Sequence, residues 1–294
     1  MTVITQTKAA PVETAGILCA IAGTAVLTTH DAITKWLSEH FSIGDILLYR
    51  GLLTLPLCAA ILLQAGGLHL VVPRRPALNL TRAFLGMLSS ILVVWSFTFM
   101  PLAEALGVTF ISPLLTVAFA IALLGERVAP TIWIAVALGL TGALIIINPG
   151  GAALDWRIAV PLGAAVSSAL RDIVTRRLGG SEHPATVLFW TMLVLVLAGL
   201  VWALIAGSRF PEPVEWAVLA GTAVLHTAAY YLAIQSLRLA RASTVAPYRY
   251  FSLVWAALLG WLWWGDLPGP TKLAGGLLVV GAGLYVLRQE MRGR

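Results

Sequence analysis

Asp31-Ala32-Ile33-Thr34-Lys35-Trp36-Leu37 is matched 141 residues later by Asp172-Ile173-Val174-Thr175-Arg176-Arg177-Leu178, with acid, threonine, cation and leucine at the same offsets. Two further pairs keep nearly the same period. Leu102-Ala103-Glu104-Ala105 answers Leu239-Ala240-Arg241-Ala242 at 137 residues, and Gly125-Glu126 answers Gly265-Asp266 at 140. A period near half of a 294-residue chain is an internal duplication. Almost everything between the markers is apolar, and duplicated membrane halves commonly build a transporter with its site between the repeats.

A hydrophobic fraction of 59%, a charged fraction of 11% and a mean hydropathy of +0.91 leave too little polar surface to coat a soluble globule of this length. The chain reads as an all-α membrane protein. Windows long enough to cross a hydrocarbon core of about 30 Å run near 15–37, 44–64, 77–99, 103–124 and 129–148. Five more run near 158–178, 185–206, 214–236, 243–264 and 270–288. Their length and continuity indicate ten helices, since barrel strands would be short and alternating. The expected organisation is a tail over 1–14, a five-helix repeat over 15–148, a second over 157–288 and a tail over 289–294. The first apolar stretch is too long for a signal-peptide core and lacks a small-x-small cleavage site, so it is read as a retained helix. Cys19 and Cys58 fall inside spans without metal-ligand spacing and are read as packing residues. No metal or cofactor is expected.

The net charge of +6 reads as membrane orientation rather than nucleic-acid binding because of where the basic residues stand. With a cytoplasmic N-terminus, twelve of the 19 Lys and Arg collect on the cytoplasmic side, Arg74, Arg75, Arg82, Arg176 and Arg177 among them. Four (Lys35, Arg157, Arg209, Lys272) fall on the other side, and Arg50, Arg171 and Arg249 fall within spans. Both termini are therefore expected in the cytoplasm, with the chain in the cell's inner (plasma) membrane. Five spans per half is an odd number, so the second half enters from the opposite face and the repeats are inverted. Such a pair supports alternating access by exchanging the conformations of its halves. Pro101, Pro113, Pro161 and Pro247 are bending points, with Pro113 and Pro247 the leading hinge or gate positions.

The string Pro101-Leu-Ala-Glu-Ala-Leu-Gly-Val-Thr-Phe-Ile-Ser-Pro113, the apolar run to Gly125-Glu126, and Ala242-Ser-Thr-Val-Ala-Pro-Tyr-Arg-Tyr-Phe251 with Gly265-Asp266 resemble the paired signatures of EamA-type proteins in the drug/metabolite transporter superfamily. The similarity extends over essentially residues 15–288, and in particular resembles the YddG-type exporters of aromatic amino acids. The resemblance implies ten helices, inverted five-helix repeats, cytoplasmic termini and a central substrate cavity. It also implies that Glu126 and Asp266 are structural acids at tight turns ending each repeat's fourth helix.

Ionisable groups inside a bilayer cost at least roughly 2.5–3.5 kcal/mol unless partnered, so they shortlist a site. His30 and Asp31 lie in the first span, where Asp31 could pair with Lys35 one turn on. Tyr49 and Arg50 open the second, where Arg50 could clamp a carboxylate or pair with Asp45. Arg171 and Asp172 are adjacent, point about 100° apart on a helix and so do not simply neutralise each other. Arg249 stands between Tyr248 and Tyr250, two residues after Pro247, and is the most pointed candidate for a substrate carboxylate. Ser90, Trp95, Trp190, His226, Tyr230 and Tyr231 could wall the same space and suit a flat cargo. Trp261, Trp263 and Trp264 read as an interfacial belt, and the glycine-rich fifth and tenth spans as peripheral packing helices.

There is no H-E-x-x-H, G-x-S-x-G or phosphate loop, so an enzyme is not expected; an intramembrane lipid-modifying enzyme is the remote alternative. The leading reading is a secondary transporter exporting amino acids or related small metabolites, aromatic amino acids in particular; the alternative is a carrier of another metabolite or drug class in the same superfamily. Its expected partners are the bilayer and a small molecule. Proton coupling, direction and oligomeric state are not encoded.

Overall fold

A computed structural model of the chain describes residues 9–125, 156–178, 181–239, 251–266 and 269–292, with a few positions between 134 and 145. The helices are α1 (Ala9–Ser38), α2 (Ile43–Ala65), α3 (Pro76–Phe97), α4 (Leu102–Thr109), α5 (Ser112–Leu124), α6 (Ala159–Leu178), α7 (Pro184–Ala206), α8 (Pro213–Leu239), α9 (Phe251–Trp264) and α10 (Pro270–Arg292). No strand occurs among the described residues. Seven helical stretches there are long and apolar enough to cross a membrane, counting α4 and α5 together as Leu102–Leu124. Val254–Trp264 and Leu273–Ala282 are shorter apolar helices.

Local chemistry sets the ends. Ser42 caps α2 by accepting the N–H of Asp45 at 3.1 Å, and its hydroxyl donates to the Asp45 carboxylate at 2.8 Å. Proline opens α3 and α7 at a position where a missing N–H costs nothing. Gly125 and Gly265 end α5 and α9 with φ of +67° and +70°, each donating its N–H one turn back, to Ile121 and Trp261. The duplicated Gly-acid marker is thus a helix stop in both halves; Glu126 itself lies outside the described residues.

The fourth window, read as one span over 103–124, is interrupted at Phe110–Ile111. Ile111 bonds to Val108, tightening the turn, and Pro113 lacks the N–H that the Thr109 carbonyl would have accepted. Pro101 precedes α4 in an extended conformation, whereas Pro161 sits in the first turn of α6 without breaking it.

Helices pair across the two halves: α1 on α8, α2 on α7 and α3 on α6, with α1 also against α9 and α5 against α6. This pattern is unchanged when the halves are exchanged, since α1 corresponds to α6, α3 to α8 and α5 to α9. The partners run antiparallel. A Cβ added at Gly44 would strike Trp202, one at Gly51 would meet Val196, and one at Gly199 would lie 2.6 Å from the Leu48 nitrogen and 2.8 Å from the Gly44 carbonyl. Along α3 and α6, Arg82 meets Thr175 and Ser89 meets the Ala164 carbonyl. Along α1 and α8, Gly23 meets Leu232 and His30 meets His226.

Both ends of the α2–α7 pair are tied by polar contacts between connections. At one end Tyr49 lies 2.9 Å from Ser208 and donates to the Arg209 carbonyl, Ser208 donates to Asp45, and Arg209 bonds Glu215 at 2.9 Å. At the other, the Arg75 N–H donates to Glu182 at 2.7 Å, Thr186 donates to the Leu70 carbonyl at 2.6 Å and Trp190 to that of Val71 at 2.8 Å.

The closeness of α2 and α7 has a measurable consequence. Gly199→Ala should lose about 1–3 kcal/mol, because the new methyl meets backbone that cannot rotate away. Gly221→Ala, where nothing lies within 4 Å, should lose none. Thermal unfolding of the two purified variants, followed by size exclusion, separates them; equal melting would contradict the packing.

Candidate functional site

His30 organises one end of the buried polar centre. Its Nε2 lies 3.1 Å from an Arg50 nitrogen and its Nδ1 3.0 Å from the Asp31 carboxylate. A guanidinium only donates, so Nε2 accepts and Nδ1 carries the proton that is given to Asp31. The imidazole therefore couples a cation on α2 to an acid on α1. His30 and Arg50 are 3% and 2% exposed.

α8 carries the file onward. His226 faces His30 at 5.1 Å between ring centroids and stacks on Tyr230, one turn further, at 4.5 Å and 28°. Tyr230 hydrogen-bonds Arg171. Arg171 in turn holds Asp172 at 3.1 and 3.3 Å and Ser168 at 2.8 Å. Arg82 donates to Thr175 at 2.9 Å and to Thr191 at 2.8 Å. At 1.5 Å per residue, Arg50 stands about 10 Å inside the start of α2 and Arg171 about 10 Å inside the end of α6. These ends lie on opposite faces of the bundle, so the polar file occupies its middle.

Several expectations are corrected by these contacts. Asp31 pairs with its neighbour His30 rather than Lys35; Lys35 instead donates to the Met100 carbonyl at 3.2 Å and lies 3.9 Å from Asp266 and 4.9 Å over the Trp264 ring. Arg171 and Asp172 do bond each other, because the long arginine stem folds back across the 100° between their Cβ directions. The Asp45 carboxylate accepts from the Ser42 and Ser208 hydroxyls instead of reaching Arg50. Arg82, assigned from charge counting to the cytoplasmic surface, is 6% exposed and inside the bundle.

The shortlist divides accordingly. His30, Asp31, Arg50, Arg171, Asp172, His226 and Tyr230 come together. Tyr49 turns to the α7–α8 connection, where its ring meets Phe210 and Trp216 edge-on. Trp190 is held at the α2–α3 connection, and Trp95 is 39% exposed beside Trp156. Ser90 is half-buried, its neighbour Ser89 making the contact to α6. Tyr231 is exposed and accepts from Gln235. Pro247, Tyr248, Arg249 and Tyr250 lie outside the described residues.

Sequence reading missed Arg82 and Asn79. Asn79 is fully buried with neither side-chain amide atom partnered. The available signal was that both fall within the third apolar window, which a surface residue would not need to do.

An apolar bundle built from two equivalent halves, with charges gathered where they meet, is the setting of a membrane carrier. Residues 14–148 and 156–288 each match the model of the EamA-like transporter family. The chain belongs to that family. It is a multi-pass membrane transporter of small metabolites, not an enzyme. It is 30% identical over 226 residues to the riboflavin transporter of Rhizobium johnstonii, covering 77% of this chain and 75% of that one. It is 27% identical over 281 residues to the pseudopaline exporter CntI of Pseudomonas aeruginosa, covering 94% and 96%. The S-adenosylmethionine uptake transporter of Rickettsia prowazekii is 24% identical over 74% of this chain and 76% of its own. A solved protein crystal structure, 19% identical, superposes with a TM-score of 0.70 over 95% of this chain and 98% of that one, and shares the fold. None of these relatives is named for aromatic amino-acid export, so the narrower YddG-type resemblance gains no support from them.

The Arg171–Asp172 pair makes a testable double-mutant cycle. Arg171→Gln removes the guanidinium bonded to Asp172 and should destabilise by about 2–3 kcal/mol, below the usual loss for a fully buried pair because Asp172 retains some exposure. Adding Asp172→Asn should recover most of that loss. Denaturation of the purified single and double variants measures the coupling; additive effects would mean the pair is not an energetic unit.

Proposed function

We propose that the protein carries a small metabolite by alternating access, through two inverted repeats that hold the cargo against the file from His30 and Arg50 to Tyr230 and Arg171. The observation that carries this reading is the antiparallel α2–α7 pair. These helices are repeat equivalents, and opposite directions for equivalent helices are what an inverted duplication requires. Pro113, beside the break between α4 and α5, and Pro247 are the proposed hinges, and Tyr248, Arg249 and Tyr250 belong to the proposed lining on sequence grounds. Both termini are assigned to the cytoplasm and the protein to the inner membrane, from the basic-residue bias.

The rings of His30, His226 and Tyr230 favour a flat cargo. Aromatic amino acids fit that description, and so does riboflavin, for which one relative is named. Relatives named for export and for uptake both occur, so direction belongs to the experiment. Counterflow into proteoliposomes of labelled tryptophan, riboflavin and S-adenosylmethionine, with and without a pH gradient, tests the reading. Saturable exchange of at least one is expected, and its dependence on the gradient reports proton coupling.

The inverted arrangement has its own test. His40 and Ser181 occupy equivalent positions, 141 residues apart, in the α1–α2 and α6–α7 connections. His40→Cys should react with an impermeant maleimide on intact cells, and Ser181→Cys only after permeabilisation. Labelling of both from one side would remove the inverted repeat.

A further inference from the structure

We infer that the cargo carries an oxyanion, a carboxylate or a phosphate, and that the side-on edge of Arg50 receives it. This rests on the transport reading above and narrows its substrate class. Arg50 uses one terminal nitrogen on His30, while its Nε and its other terminal nitrogen, Nη2, are buried with no hydrogen-bond partner. Those two N–H groups lie on the same edge of the guanidinium, parallel and spaced for the two oxygens of one acid group. The His226 Nδ1, close by, is also buried and unpartnered.

The charge distribution points the same way. Among the described residues the file holds three guanidinium groups, Arg50, Arg82 and Arg171, against two carboxylates, Asp31 and Asp172. Asp172 is taken by Arg171, and Asp31 is turned onto His30. The other described carboxylates stand in connections or near the ends of helices, as Asp45, Glu104 and Glu215 do. A cation excess at this depth stabilises a bound anion and disfavours a neutral or cationic group at the same place.

His30 gives this edge its direction. By accepting from the first terminal nitrogen and donating to Asp31, it holds one end of the guanidinium and leaves the Nε–Nη2 edge unpaired. Arg50 bonds His30, and His30 faces the His226–Tyr230 stack, so an acid attached to a flat ring would set the ring by that stack while its oxygens meet Arg50. Arg82 is engaged by two threonine hydroxyls, and Arg171 by Asp172, Ser168 and Tyr230, which leaves Arg50 as the anchor.

The test uses probe pairs that share a ring and differ in the acid: benzoate and benzamide, tryptophan and tryptamine, flavin mononucleotide and riboflavin. Each is titrated against purified full-length protein, with thermal stabilisation as the readout, and each is then tried in counterflow. In at least one pair the acid member should act at a concentration about tenfold lower than its partner. That preference should vanish in Arg50→Gln. It should fall only partly in Arg50→Lys, which keeps the charge but lacks the paired edge, and which also serves if Arg50→Gln does not fold. Equal action within every pair, stabilisation by no acid member, or a preference that survives both substitutions would overturn the inference. Counterflow of an acid member that is indifferent to Arg50→Gln would overturn it while leaving transport intact, whereas absence of counterflow for every probe would remove the transport reading itself.

Discussion

A guanidinium at membrane depth needs groups that accept its hydrogen bonds, and the described residues hold three guanidiniums in the bundle. Arg50, Arg82 and Arg171 come from three different helices, and the bundle closes so that each reaches acceptors on another helix or an adjacent acid. The requirement reaches well beyond the arginines. It fixes the tautomer of His30, the facing of His226 and Tyr230, and the inward turn of Thr175 and Thr191. Leucine and valine packing alone would leave the rotation of α1, α2 and α8 weakly specified, since lipid tails are as apolar as the core. Polar contacts between helices select one arrangement.

The duplication has been kept in the frame and relaxed in the centre. His30-Asp31 and Arg171-Asp172 are equivalent dipeptides, and in both the first side chain bonds the second. Arg50 has no equivalent cation: Thr191 occupies the corresponding position on α7 and binds Arg82 instead. The two halves therefore present related scaffolds with unequal chemistry. An asymmetric centre can hold an asymmetric molecule in one orientation while the surrounding helices keep their shared packing.

Much of this was legible before any coordinates. The duplication follows from three pairs of markers and the membrane class from composition, while the turns after Gly125 and Gly265 were implied by the family resemblance. Seven of the clustered residues were on the shortlist because ionisable and aromatic groups in apolar windows are few. What escaped depends on side-chain reach and tertiary position. Arg82 sits near a window edge, where charge counting assigns it to the surface, and its depth is set by where Pro76 starts α3. The Arg171–Asp172 bond depends on an arginine folding back, which Cβ directions do not describe. Tyr49, Trp95 and Trp190 were read by residue type, but the connections that recruit Tyr49 and Trp190 come from the other half of the chain.

The wedged glycines of α2 and α7, together with the knots of hydrogen bonds above and below them, form a strut spanning the whole thickness of the molecule. Neither tip is free to part from its neighbour without breaking several polar contacts at once. On the alternating-access reading proposed above, displacement would fall to the flanking pairs, α1 with α8 and α3 with α6, swinging past a stationary post. Arg50 is mounted on that post, so a molecule moored to it would stay at one level while the walls around it trade places.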